Sequence, residues 1–66
     1  TTREIEILRL LAQGKISKEI SEMLQISKLT VDSHRKNMVN KLRMLKNDDS
    51  ISTAGLVVYA KEIGVV

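Results

Sequence analysis

The sequence has no cysteine, proline, tryptophan or phenylalanine, and its only aromatic residue is Tyr59. Without cysteine there is neither a disulfide framework nor a thiolate metal site, and redox compartment is not indicated. His34 is the sole histidine, so no histidine cluster can hold a metal, and none is expected. One tyrosine is too little aromatic surface to stack the bases of a single strand. Three scattered glycines make no phosphate-cradling loop. No nucleophile–base pair or pair of carboxylates in an apolar setting is visible, so an enzyme is not expected, nor a cofactor or small-molecule ligand. No apolar run approaches the roughly 20 residues of a membrane span, and no signal peptide is visible.

What is present is charge in one place. The 66 residues carry a net charge of +3. Over residues 1–27, Arg3, Arg9, Lys15 and Lys18 cancel Glu4, Glu6, Glu19 and Glu22. Residues 28–46 set Lys28, Arg35, Lys36, Lys41, Arg43 and Lys46 against Asp32 alone. The remainder is acidic, through Asp48, Asp49 and Glu62 against Lys61. The whole positive excess therefore lies on one segment, which points to a polyanionic partner. A chain of this length makes one domain and buries only roughly 60% of its unfolded surface. It begins at Thr1 rather than methionine, and is expected to be part of a longer protein.

Four helices are expected, in an all-α fold. The first spans 2–13, opened by a capping box of Thr1 and Glu4, with Ile7, Leu8 and Leu11 inward and Ile5 and Ala12 beside them. Gly14 ends it in the left-handed conformation. The second spans 17–24, with Ser17 as cap and Ile20 and Leu24 as an apolar pair. Gln25, Ile26 and Ser27 form a short link, with Ile26 buried and Ser27 capping a third helix over 28–45. Residues 46–52 read as a loop. A last helix over 53–63, capped by Ser52 or Thr53 and ended by Gly64, carries Leu56, Val57, Ala60 and Ile63 on its apolar stripe.

Two helices joined by so short a link must cross steeply, which is the helix-turn-helix arrangement, and the basic helix is its second member. At 100° per residue, Val31, His34, Met38, Leu42 and Leu45 share one stripe of that helix. Leu29, Asp32, Ser33, Lys36, Asn40 and Arg43 lie opposite, with Lys28, Arg35 and Lys41 on the flanks.

The elements Thr1-x-x-Glu4, Gly14, Lys18-Glu19-Ile20, Ile26-Ser27, Thr30-Val31, His34 and Lys41-Leu42 resemble the C-terminal DNA-binding domain of the LuxR/NarL (GerE-like) transcription regulators, over nearly the whole chain. The resemblance implies a four-helix domain over 1–66, at the C-terminal end of a longer cytoplasmic regulator with a receiver or ligand-sensing domain before it. It implies that the third helix reads double-stranded DNA and that the fourth commonly forms a homodimer. Carried over by position, Asp32, Ser33 and Lys36 face the bases, while Thr30, Arg35 and Lys41 lie at or near phosphates. The flanking position of Lys28 adds it to the phosphate set. Three departures stand out. Aspartate occupies position 32, where the family often has lysine; Ile16 replaces a capping serine; and the link after Leu42 is about six residues longer than usual.

Lys36 is the first choice for base contact, donating to guanine O6 or N7, whereas Ser33 can bond to any base. Asp32 either accepts from cytosine N4 or pairs locally with Lys36. His34, at the edge of the apolar stripe, is expected to be packed and hydrogen-bonded. Val57, Val58 and Tyr59 form the expected dimer face, since a helix this small cannot turn all of them inward. The competing reading is a protein-interaction module of the same fold that touches RNA polymerase or another regulator, favoured by Asp32 and the long loop.

Overall fold

A computed structural model of the chain describes residues 2–64, which form four helices: α1 (Thr2–Ala12), α2 (Ser17–Leu24), α3 (Lys28–Lys46) and α4 (Thr53–Glu62). Among the described residues there is no strand, so the fold is the expected all-α arrangement, with α2 and α3 as the helix-turn-helix pair. α1 packs on each of the other three helices, α3 likewise, and α2 and α4 do not meet. The core gathers Ile7 and Leu8 from α1, Ile20 from α2, Val31, Met38, Val39 and Leu42 from α3, and Leu56 and Ala60 from α4. Leu10, Leu11, Leu24, Ile26, Ile51 and Tyr59 pack around it half-buried.

The helix ends follow from local chemistry. After α1, the Lys15 N–H donates to the Leu10 carbonyl and the Gly14 N–H to the Leu11 carbonyl, the paired bonds of a Schellman motif. Gly14 closes it at φ +88°, as its glycine suggests. α2 and α3 end with the same 6→1 bond, from Ile26 N–H to Ser21 O and from Asp48 N–H to Arg43 O. Their left-handed residues, however, are Gln25 and Asn47 rather than glycine. α3 opens as expected, with the Ser27 hydroxyl accepting from the Thr30 N–H at 3.0 Å. The Thr1 half of the capping box expected for α1 lies outside the described residues.

Several sequence expectations need correction. The cap of α2 is Ile16, not Ser17. A hydrocarbon side chain accepts nothing, so only half of a capping box forms, with the Ile16 N–H donating to Glu19 Oε1 at 3.1 Å. α1 and α4 each end one residue earlier than expected, at Ala12 and Glu62, while α3 runs one further, to Lys46. Leu45 is 76% exposed rather than an anchor. Val39 is buried instead. Packing by α1, α2 and α4 on three sides gives α3 a buried arc wider than one stripe. Ile5 and Ile63 are exposed, Ile63 because it follows the last turn of α4 rather than belonging to it.

Candidate nucleic-acid interface

The basic helix carries six cations, and their partners sort them. The Lys28 ammonium sits 3.1 Å from Asp32 Oδ2, and an Arg35 guanidinium nitrogen lies 3.6 Å from Asp32 Oδ1. Arg35 also donates to the Thr53 hydroxyl at 2.8 Å. Lys41 donates to Glu4 Oε1 at 3.0 Å, Arg43 Nε donates to the Ile51 carbonyl at 2.7 Å, and the Lys46 ammonium lies 5.2 Å from the Tyr59 ring centroid. Among the described residues, Lys36 alone of the six makes no hydrogen bond, ion pair or ring contact. Its head group is left for something outside the fold.

Asp32 does not pair with Lys36, the local alternative read from the sequence. Its oxygens are engaged by Lys28 and Arg35, one turn before and one turn after it on the helix. The nearby Ser17 hydroxyl, then Lys28, hold its carboxyl below the usual aspartate range. As the first residue of α2 instead of its cap, Ser17 has its hydroxyl near Asp32 of α3. Asp32 is thereby held between the flanking cations Lys28 and Arg35.

The outward strip of α3 is built by spacing. Leu29, Ser33, Lys36 and Asn40 recur at steps of four, three and four, so they share one face, and all four are exposed. Ser27 and Thr30 lie beside the first turn, their hydroxyls 2.8 Å apart. Beside the strip, a groove of about 270 Å³ opens between α3 and the start of α4, lined by Arg35, Lys36, Arg43, Ser52 and Thr53 among others. Arg43, placed on the outward face, and Thr53, a candidate cap, were not among the residues expected to contact DNA. Their role appears only once the loop brings α4 back onto α3.

The opposite face of α3 is anchored by a polar cluster that the sequence reading missed. Glu4 is 8% exposed and accepts from Lys41 and from His34 Nδ1, the latter at 3.3 Å. The Lys41 hydrogen bond first, and that of His34, hold the Glu4 carboxyl below the usual range despite its burial. The signal was present: Glu4 stands three and four residues before Ile7 and Leu8, on the same inward face. Reading it only as a capping residue hid it. His34 is packed and hydrogen-bonded, as expected. Lys41, 62% exposed along its side chain, comes to solvent already paired.

Of the expected dimer face, Val58 is exposed, while Val57 and Tyr59 are half-buried. Tyr59 also packs on the core beneath Lys46. Among the described residues no group of three or more metal-ligating side chains gathers, and no helix is long and apolar enough to cross a membrane.

A helix-turn-helix whose second helix presents an exposed strip ringed by tethered cations defines a class of protein, and comparison with known sequences places the chain within it. Residues 1–54 match the family described as GerE, bacterial regulatory proteins, luxR family, and the chain belongs to that family, one of regulators rather than enzymes. It is 48% identical over 54 residues to the uncharacterized response regulatory protein YgeK of Escherichia coli, covering 82% of this chain and 37% of that protein. It is 42% identical over 66 residues to the transcriptional regulatory protein MctR of Rhizobium johnstonii, covering 100% of this chain and 28% of that one. With the nitrate/nitrite response regulator protein NarP of Escherichia coli it shares 43% identity over 44 residues, 67% of this chain and 20% of the other. The chain thus spans little more than a third, at most, of these relatives' lengths. No solved structure matches it significantly.

Proposed function

We propose that this domain binds a specific site in double-stranded DNA and thereby regulates bacterial transcription in the cytoplasm, with α3 in the major groove. The observation that carries the reading is the sorting of the cations on α3: Lys36, alone without a partner among the described residues, lies on an exposed strip with Ser33. An unpaired ammonium at that place is suited to guanine O6 or N7, and a serine hydroxyl to any base edge. Asp32, the third expected reader, serves chiefly to aim Lys28 and Arg35. Those two and the Thr30 hydroxyl are set toward phosphates on either side of the groove. Lys41 contributes less, because Glu4 neutralises it. A homodimer on DNA through α4 would rest mainly on Val58, with Val57 and Tyr59 at its edge.

The test begins with duplexes selected from a random pool and proceeds to Lys36→Ala. The loss of a good base contact is expected to weaken binding to the selected site about 5- to 100-fold. Binding to random duplex should fall far less. If the pool yields no enriched site, or Lys36→Ala weakens both duplexes equally, the proposal is wrong. The alternative, a module that contacts RNA polymerase or another protein, draws on Met44 and Leu45, 83% and 76% exposed at the end of α3. Chemical-shift mapping with random duplex that leaves residues 28–43 unmoved would favour it.

A further inference from the structure

Leu29 is 77% exposed, in the first turn of α3. It is not among the hydrophobic residues that build or pack on the core, and the strip it begins is otherwise polar: Ser33, Lys36 and Asn40. Exposed apolar residues are common on any surface and need no explanation singly. Leu29 differs in its setting. It stands on the face that carries the unpartnered Lys36, near the helix N-terminus, where a helix-turn-helix makes its base contacts. The Ser27 cap fixes the backbone under it, through the bond from Thr30 N–H.

We propose that Leu29 is a specificity-determining residue that packs against the C5-methyl group of thymine. The inference rests on the DNA reading above and goes beyond it. A leucine neither donates nor accepts a hydrogen bond, so on a base-reading strip it has one favourable target. The thymine methyl is the only apolar group that base pairs display in the major groove. Lys36 is suited to guanine acceptors about two turns further along the same face, so the two side chains would read different bases of one half-site. The half-site is then expected to hold a thymine at a fixed short distance from a guanine.

Replacing thymine by deoxyuridine removes only that methyl and leaves pairing intact, which makes it the probe. Sites selected from a random duplex pool are remade with deoxyuridine at each thymine in turn and titrated with the native chain and with Leu29→Ala. One or two positions should weaken native binding about fourfold, the worth of one buried methyl-sized group. The same substitutions should leave Leu29→Ala unaffected. Because Leu29 is exposed and alanine favours helix, the variant should keep its helical circular dichroism and melting midpoint. If native binding is indifferent to every deoxyuridine, or both proteins lose affinity equally, Leu29 does not read thymine, while binding to the selected site in the same titration upholds the DNA reading. Leu29→Ala with unchanged affinity and unchanged methyl dependence would also overturn the proposal and assign the leucine to a protein contact. A pool without any enriched site would instead refute the DNA reading itself.

Discussion

Replacing Glu4 by glutamine keeps the shape of a buried side chain and removes its charge, which isolates what the carboxylate does for the seating of α3. Glu4 accepts from Lys41 at 3.0 Å and from His34 at 3.3 Å. A hydrogen bond to a charged group contributes about 1.5–3 kcal/mol when shielded, but the lysine is 62% exposed, which reduces its part to about 0.2–1 kcal/mol. The longer bond from the imidazole adds about 0.5–1.5 kcal/mol. Glutamine has one uncharged acceptor oxygen for two donors, and its amide group meets an acceptor at His34 Nδ1 only if the imidazole takes the other tautomer. The expected cost of Glu4→Gln is therefore about 1–2 kcal/mol at pH 7. In a domain of this size each kcal/mol moves the melting midpoint by about 4–8 °C, so a fall of roughly 4–16 °C is expected, read by circular dichroism. The pH dependence provides the sharper check. Because the folded-state pKa of Glu4 is lowered, its stabilisation is full above the ordinary glutamate value of about 4.3 and is lost as pH falls through the lowered folded value. The gap between native and variant should thus be widest near neutrality and close at low pH. A variant as stable as the native chain at pH 7, or a gap undiminished at pH 3, would refute the argument.

Other outcomes follow from the same geometry. Arg35→Ala should weaken binding to selected and random duplex alike if its target is, as proposed, the phosphate backbone. It should also reduce the slope of log affinity against log salt by about 0.9, one phosphate's worth; an unchanged slope measured by anisotropy would remove Arg35 from the phosphate set. Gln25 closes the turn between α2 and α3 at φ 56°, a conformation that costs a residue with a Cβ about 1–2 kcal/mol. Gln25→Gly relieves that cost against about 0.5–1 kcal/mol of extra chain entropy. A small rise in urea midpoint is expected, and a fall would show that the glutamine side chain contributes something the backbone argument omits.

Much of the fold was legible because its signals are local. Gly14 and Ser27 mark helix ends through backbone conformation and one hydrogen bond, and both act where the sequence places them. The inward positions of α1 and α2 follow the 3.6-residue period, which depends on no partner. Errors fall where a neighbour decides. Leu45 satisfies the period yet is exposed, and Val39 breaks the stripe yet is buried, because α3 packs on three other helices rather than one. Ser17 carries the chemistry of a cap, but the register of α2 puts Ile16 there and turns the hydroxyl to Asp32.

The candidate site divides along the same line. Sequence alone determined that one helix holds the positive excess, that it follows a short turn, and that Ser33 and Lys36 face away from its apolar stripe, because charge, spacing and turn length are properties of the chain. The tertiary structure decided which of those charges are occupied. Glu4 neutralises Lys41 from 37 residues away, Thr53 and Ile51 hold Arg35 and Arg43 across the loop, and Ser17 joins the environment of Asp32 from the preceding helix. An ion pair depends on distances of a few ångströms between side chains on different helices, and helical periodicity carries no information about those. Only after the helices are packed does Lys36 emerge as the cation of α3 without a partner among the described residues, with Leu29 exposed beside it on the same strip.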